Sequence, residues 1–146
     1  MTVPTDSSQP LELLIVDDDA AFRETLRELL EPFFRIIEAE CGEEALEIVD
    51  EHPVDLGLFD YQMRVVTGLD VIRHIKTELQ AELSVVPCIL ITASYSPDLV
   101  RQAEAAHASA ILKKPVKRSE LIATVSIALR ESYQDPTLPT RLGLVS

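Results

Sequence analysis

Three consecutive aspartates, Asp17, Asp18 and Asp19, follow the apolar run LLIV, and a fourth, Asp60, ends a second run, VDLGLFD. Carboxylates held close together raise one another's pKa unless a cation lies among them. If both runs are neighbouring strands of one parallel sheet, their carboxyl ends bring these side chains to the same edge. A divalent cation there would relieve the repulsion. An open edge with few protein ligands suits Mg²⁺, which keeps several waters and is commonly held together with phosphate oxygens; Mn²⁺ could substitute.

A simpler explanation of the aspartates is that they end a strand and begin a helix. Asp is a favoured N-cap residue, and a helical pattern begins at Ala20, so we assign Asp19 to the cap. One cap does not require three acids, and we therefore predict Asp17 and Asp18 to be metal ligands. Asp60 could, taken alone, be a turn former at the end of its strand.

Two further polar residues stand at the ends of apolar runs. Thr92 follows CILI, and Lys114 follows AILK. In a parallel sheet both would lie at the same edge as the aspartates. Each also has an interpretation without a function, because Thr is a common β-branched strand residue and Lys is usually a solvated surface residue.

Apolar runs alternate with amphipathic stretches five times along the chain, in the order strand and then helix. The predicted strands are LELLIV, RIIEA, VDLGLFD, VPCILITA and AILK, and the predicted helices run from Ala20 to Leu30, Gly42 to Glu51, Gly68 to about Leu79, Pro97 to about Ala106 and Ser119 to Arg130. Near-continuously apolar strands are typical of a parallel sheet with helices on both faces. The sequence therefore predicts an α/β fold, a single doubly wound (βα)5 parallel sheet of the flavodoxin-like type with strand order 2-1-3-4-5. In that order ligands bind beyond the carboxyl ends of strands 1 and 3.

Length and composition fit one domain, since 146 residues with 47% hydrophobic side chains can bury a core. We predict a disordered lead over residues 1–10, the domain over residues 11–131, and a tail without helical periodicity over residues 132–146. The formal net charge of −12, without a local basic patch, disfavours direct binding to nucleic acid or to anionic membranes.

The sequence has neither a signal-peptide pattern nor an apolar run of membrane length. We therefore expect a cytoplasmic protein. Cys41 and Cys88 stand without another Cys or His at metal-site spacing, and we predict two buried thiols rather than a disulfide or a ligand pair.

Four motifs together resemble the receiver domain of two-component response regulators, over roughly residues 12–130. They are the acidic pair after strand 1 (IVDD), the strand-3 aspartate followed by Met at plus three and Gly at plus eight (FDYQMRVVTG), ITA at the end of strand 4, and KKP after strand 5. The motifs occur in order and at the corresponding strand ends, which makes the combination specific.

The resemblance implies that Asp60 accepts a phosphoryl group from the phosphohistidine of a sensor histidine kinase or a phosphotransfer protein. Asp17, Asp18 and Asp60 would hold Mg²⁺, with the backbone carbonyl of Gln62 as a further ligand. Such a domain is a signalling switch that catalyses only its own phosphorylation and dephosphorylation. It acts on a downstream protein partner, and a homodimer is a possible state.

The resemblance also assigns the residues around the phosphoryl group. Thr92, Ala93 and Lys114 would form its binding and switch positions, and Gln62 and Ser94 occupy the positions that flank the path of the hydrolytic water. In this family the peptide bond between Lys114 and the following proline is usually cis.

Three positions depart from the family's pattern. Ile111 replaces the Tyr or Phe whose rotamer reports phosphorylation, His107 replaces a small glycine, and Arg64 replaces a proline. None of these changes removes the acceptor, a metal ligand or the cation, so we expect phosphorylation to survive while the readout differs. We expect His107 and Arg64 to be solvated surface residues.

Two other functions are weighed against phosphate signalling. The substitution at Ile111 suits a receiver-like module that binds a protein without phosphate, through helix 4, strand 5 and helix 5. A phosphatase of the haloacid dehalogenase type also uses an aspartate nucleophile, a lysine and Mg²⁺, but Ala20 and Ala21 stand where its signature has Gly and Thr. Phosphoacceptor signalling is the preferred prediction.

Overall fold

Five parallel strands form one sheet in a computed structural model of the chain, which describes residues 10–77 and 85–146. The strands are β1 (Glu12–Val16), β2 (Arg35–Ala39), β3 (Leu56–Asp60), β4 (Cys88–Thr92) and β5 (Ala110–Lys113). Their order across the sheet is β2-β1-β3-β4-β5, and the neighbouring pairs are parallel. The predicted doubly wound α/β sheet of order 2-1-3-4-5 is confirmed.

Helices connect and follow the strands. They are α1 (Ala20–Leu30), α2 (Gly42–Glu51), α3 (Gly68–Thr77), α4 (Pro97–Ala105), α5 (Arg118–Tyr133) and α6 (Leu138–Arg141). The bounds of α1 and α2 are those predicted, and α4 ends one residue before its predicted end. The predicted extension of α3 to Leu79 and residues 1–9 of the predicted lead lie outside the described residues.

The core consists of two apolar layers, one on each face of the sheet, because successive strand side chains point to opposite faces. Leu13 and Ile15 of β1 pack with α1 and α5. Leu14 and Val16 of the same strand pack with α2, α3 and α4. All four side chains are essentially fully buried, so β1 is fixed from both faces and the residues that follow it start from a rigid position.

The C-terminal segment is not a tail, and the prediction of residues 132–146 without helix is wrong. Helix α5 continues to Tyr133, and α6 follows it. Leu138 and Leu144 are buried in the same core layer as the C-terminal end of α1. The proline that suggested an irregular segment, Pro139, instead stands in the first turn of α6, where its fixed φ is compatible with a helix.

The two cysteines are free thiols with different surroundings. Cys88 in β4 is buried, as predicted. Cys41, the N-cap residue of α2, is only half-buried, so the prediction of a buried thiol is wrong for this residue. No helix within residues 10–77 and 85–146 combines the length and apolarity needed to cross a membrane.

Candidate functional site

Three carboxylates converge at the carboxyl edge of the sheet, between β1 and β3. Asp17 directly follows β1 and Asp60 is the last residue of β3; both are 2% exposed, whereas Asp18 is exposed. One carboxylate oxygen from each of the three residues lies within 4.8 Å of the other two. The structure thus brings together the three aspartates that the sequence placed at one edge. Hard oxygen donors on a partly open rim are a ligand set that Mg²⁺ accepts.

Asp19 has the separate task predicted for it. It is the N-cap of α1, and its side chain accepts hydrogen bonds from the backbone N–H groups of Ala21 (3.0 Å) and Phe22 (3.3 Å). Its own N–H donates to Oδ1 of Asp17 at 2.8 Å. The third aspartate therefore begins the helix and orients the first, which is why three acids stand in a row.

An arginine that sequence reasoning missed holds the turn after β1. Nη1 of Arg23 donates to the backbone carbonyl of Asp17 at 2.7 Å, and Nε donates to Oε1 of Glu38 at 3.0 Å. The Arg23 side chain is only 12% exposed. Its position in the first turns of the helix after the acidic run was a usable signal, because a buried acidic cluster is commonly supported by a buried cation.

Lys114 places its ammonium between two of the acids. Nζ lies 2.9 Å from Oδ2 of Asp17 and 3.4 Å from Oδ1 of Asp60. It also lies 4.2 Å from the centre of the Phe22 ring, at cation–π distance. The peptide bond between Lys114 and Pro115 is cis, as expected.

The electrostatics of the site are those of crowded acids. Burial, and next the charge of Asp17, raise the pKa of Asp60 from 3.8 to about 6, although Lys114 acts in the opposite direction. Burial by itself lowers the pKa of Lys114, but its hydrogen bond to Asp17 and the charges of Asp17 and Asp60 outweigh this effect and raise it. At neutral pH Asp60 is therefore ionised at a free-energy cost, which a cation at the acidic cluster would relieve.

The loop after β4 carries the next predicted residues. Thr92 is fully buried, and its Oγ1 accepts a hydrogen bond from the N–H of Ser94 at 3.0 Å. The N–H of Ala93 donates to Oε1 of Gln62 at 2.9 Å, and Nε2 of Gln62 donates to Oγ of Ser94 at 2.9 Å. Gln62 thus ties the β3–α3 loop to the β4–α4 loop through both atoms of its side-chain amide. The sequence had indicated a site residue at this position but not this bridge.

The β3–α3 loop passes tightly over the site. A Cβ added at Gly68 would lie 2.3 Å from the backbone oxygen of Asp60, so only glycine fits eight residues after the aspartate. At the tip of the same loop Val65 has φ 66° and is 87% exposed, a strained conformation for a β-branched residue. Arg64 beside it is exposed, as expected.

The other two departures from the family's pattern lie along α4 and β5. Ile111 is half-buried and lines a cavity of about 200 Å³ that Tyr95 also lines. His107 is exposed and follows α4 with φ 64°. A glycine adopts this left-handed conformation without steric cost. This explains why the family's pattern has a glycine at this position.

Comparisons with known proteins identify the site's relatives. The family model of the response regulator receiver domain matches residues 13–126. The transcriptional regulatory protein PdtaR of Mycobacterium tuberculosis is 36% identical over 151 residues, covering 100% of this chain and 71% of PdtaR. The sensor histidine kinase AruS of Pseudomonas aeruginosa is 35% identical over 121 residues, which are 82% of this chain and 12% of AruS. The chemotaxis protein CheY4 of Vibrio cholerae shares the fold, with a TM-score of 0.76 at 24% identity over 82% of this chain and 99% of CheY4.

Proposed function

The chain belongs to the response regulator receiver domains, which are signalling modules of two-component systems, and we propose that it works as a phosphoacceptor. Asp60 takes a phosphoryl group from the phosphohistidine of a sensor histidine kinase or of a phosphotransfer protein, and the modified domain then acts on a downstream protein. The observation that carries this proposal is the position of Lys114 Nζ between Asp17 and Asp60, with Asp18 beside them.

The reaction is a transfer of one phosphoryl group between nucleophiles. A carboxylate oxygen of Asp60 attacks phosphorus, an O–P bond forms, the N–P bond of phosphohistidine breaks, and its electron pair stays on the imidazole nitrogen. Asp60 has to be ionised to attack. In the metal-free site burial and Asp17 raise its pKa to about 6, and a bound Mg²⁺ would favour the ionised form that attacks.

The acidic cluster fits the cofactor that the family implies. Asp17, Asp18 and Asp60, together with the backbone carbonyl of Gln62, would hold Mg²⁺ or, in its place, Mn²⁺. When bound, such an ion neutralises charge on the transferred phosphoryl group. Arg23 and Asp19 fix the backbone and side chain of Asp17 for this task.

Three groups at the carboxyl edge of the sheet would bind the phosphoryl oxygens. The ammonium of Lys114 supplies a positive charge, the hydroxyl of Thr92 and the N–H of Ala93 supply hydrogen bonds, and all three stand at the carboxyl edge of the sheet. Gln62 and Ser94, which are bonded to each other at the mouth of the site, would control the access of the water that removes the phosphoryl group.

A second function is favoured by one observation, the aliphatic side chain at Ile111. A receiver-like module that binds a protein without phosphate would use α4, β5 and α5 and would bind equally well after Asp60→Asn. We place the protein in the cytoplasm, because a histidine kinase is charged there by ATP. Its net charge of −12 argues against direct nucleic acid binding by this chain.

The test is phosphorylation by a small phosphodonor. Acetyl phosphate and Mg²⁺ are expected to add the mass of one phosphoryl group to the intact protein, and EDTA, Asp60→Asn and Asp18→Asn are each expected to prevent it. Asp19→Asn is the matched control, because Asn caps a helix as well as Asp and the phosphorylated mass should persist. The proposal would be refuted if neither the unsubstituted protein nor the correctly folded Asp19→Asn variant gained the phosphoryl mass.

A further inference from the structure

We propose, on the basis of the function above, that Tyr95 provides the aromatic readout that Ile111 cannot. On phosphorylation of Asp60, the Tyr95 ring turns from solvent into the cavity between α4 and β5. The juxtaposition that carries this inference is an exposed aromatic ring at the edge of a cavity with apolar side chains on its walls, on a loop that is bonded to the phosphoryl-binding groups.

The cavity has the size and the mixed lining that suit a tyrosine side chain, which has an apolar ring and a polar hydroxyl. Its volume is about 200 Å³; Val100, Ala103, Ala108 and Ile111 contribute apolar walls, and Glu104 and Ser109 also line it. A void of about 150 Å³ in a protein core can hold a benzene ring. Three of these four apolar side chains are no larger than valine, so the space beside Ile111 is open to a ring entering from the β4–α4 loop.

Tyr95 is the aromatic side chain at the edge of this cavity. It lines the cavity and yet is 54% exposed. Within the part of the chain that the structure describes, its hydroxyl has no hydrogen-bond partner. Moving the ring out of water and against the apolar walls gains free energy, provided that the hydroxyl keeps water or a polar group as its partner.

The loop that carries Tyr95 is held by the groups that a phosphoryl group would need. The N–H of Ala93 donates to Oε1 of Gln62, and Oγ1 of Thr92 accepts from the N–H of Ser94. When Ala93 and Thr92 bind phosphoryl oxygens, the bond to Gln62 is lost and the Thr92 hydroxyl is drawn toward Asp60. The segment from Ala93 to Tyr95 therefore changes conformation with phosphorylation.

The end of this segment is fixed, which confines the change to a few residues. Oγ of Ser96 caps α4 by accepting from the N–H of Leu99 at 3.1 Å, and Pro97 begins the helix. The backbone rearrangement thus falls on residues 93–95, with Tyr95 as the large side chain among them. The hydrophobic effect favours movement of the Tyr95 ring from water into the cavity.

A single fluorophore tests the inference, because the chain contains no tryptophan. In Tyr95→Trp, beryllofluoride with Mg²⁺ is expected to shift the emission to shorter wavelength and to lower acrylamide quenching several-fold. Tyr61→Trp, next to the acceptor, is the control that reports binding of beryllofluoride itself. A response in Tyr61→Trp with no burial in Tyr95→Trp would overturn the inference and leave the proposed function intact, whereas no response in either variant would overturn both.

Because tryptophan is larger than tyrosine, the unsubstituted protein provides a second measurement. With ¹³C-labelled tyrosine, cross-relaxation between the Tyr95 ring and the methyl groups of Ile111 and Val100 is expected to appear only with beryllofluoride. Ala108→Leu, which fills the cavity, should abolish these signals without changing the beryllofluoride response of Tyr61→Trp. Ring signals of Tyr95 that are unchanged by beryllofluoride would contradict the proposal.

Discussion

Replacing Asp60 by Asn is expected to stabilise the metal-free domain, although it removes the proposed acceptor. Burial and the charge of Asp17 raise the pKa of Asp60 from 3.8 to about 6. Because one pKa unit corresponds to about 1.4 kcal/mol, the ionised side chain costs about 3 kcal/mol at pH 8 as an upper bound. Water at the open side of the site reduces this cost, so we expect Asp60→Asn to raise the free energy of unfolding by about 1–3 kcal/mol.

The pH dependence has a definite sign. In the folded state Asp60 binds its proton more tightly than in the unfolded chain, so the penalty is absent below pH 3.8, grows between pH 3.8 and about 6, and is complete above that. The advantage of Asp60→Asn should therefore be largest at pH 8 and should vanish toward pH 4. Urea unfolding in EDTA at a series of pH values measures this difference in stability. Glu47→Gln, at an exposed position of α2, is the control, because it also removes one negative charge.

Mg²⁺ should stabilise the unsubstituted protein relative to Asp60→Asn. An ion that binds only the folded state stabilises it in proportion to the logarithm of its concentration over the dissociation constant. The unsubstituted protein is expected to gain more from Mg²⁺ than Asp60→Asn does. The reasoning would be refuted if Asp60→Asn were no more stable than the unsubstituted protein at pH 8 in EDTA, or if its advantage were equal at pH 4 and pH 8.

Four further changes test single contacts. Gly68→Ala places a Cβ 2.3 Å from a backbone oxygen; we expect a loss of stability of about 1–3 kcal/mol in urea unfolding, and unchanged stability would contradict the close approach. Arg23→Met should slow acetyl phosphate labelling several-fold, whereas Arg27→Met, whose side chain is 51% exposed, should not; equal rates in both variants would deny the positioning role. Gln62→Ala opens the mouth of the site, so the phosphorylated form should decay several-fold faster in a mass time course, and an unchanged lifetime would retire this role. His107→Gly relieves a left-handed conformation (φ 64°) and should raise the melting temperature, with a gain of about 1 kcal/mol; a lower melting temperature would contradict it.

The strand order and the gathering of the aspartates could be predicted from the sequence because both depend on local patterns. Each strand is a short apolar run, and each chemical residue stands directly after one. The carboxyl ends of parallel strands lie at one edge of the sheet. Residues that directly follow neighbouring strands are therefore close together once the sheet order is known. Asp17, Asp60 and Lys114 were found in this way.

The contacts that the sequence did not reveal depend on side-chain direction and on long-range packing. Nothing local distinguishes Gln62 as a bridge to Ser94, because the two loops are separate in the chain and meet only in the folded domain. The C-terminal segment has prolines and no helical period, yet Leu138 and Leu144 are buried in the core layer that also contains residues of α1 and α5. Tertiary burial of a few leucines outweighed the local preference for irregular structure.

The location of the phosphoryl group tests the central claim most directly. After labelling with acetyl phosphate and Mg²⁺, borohydride reduction converts an aspartyl phosphate to homoserine, and peptide mass spectrometry identifies the altered residue. We predict homoserine at position 60 alone. Homoserine at position 17 or 18, or no homoserine in a protein that has gained the phosphoryl mass, would contradict the assignment of Asp60 as the acceptor.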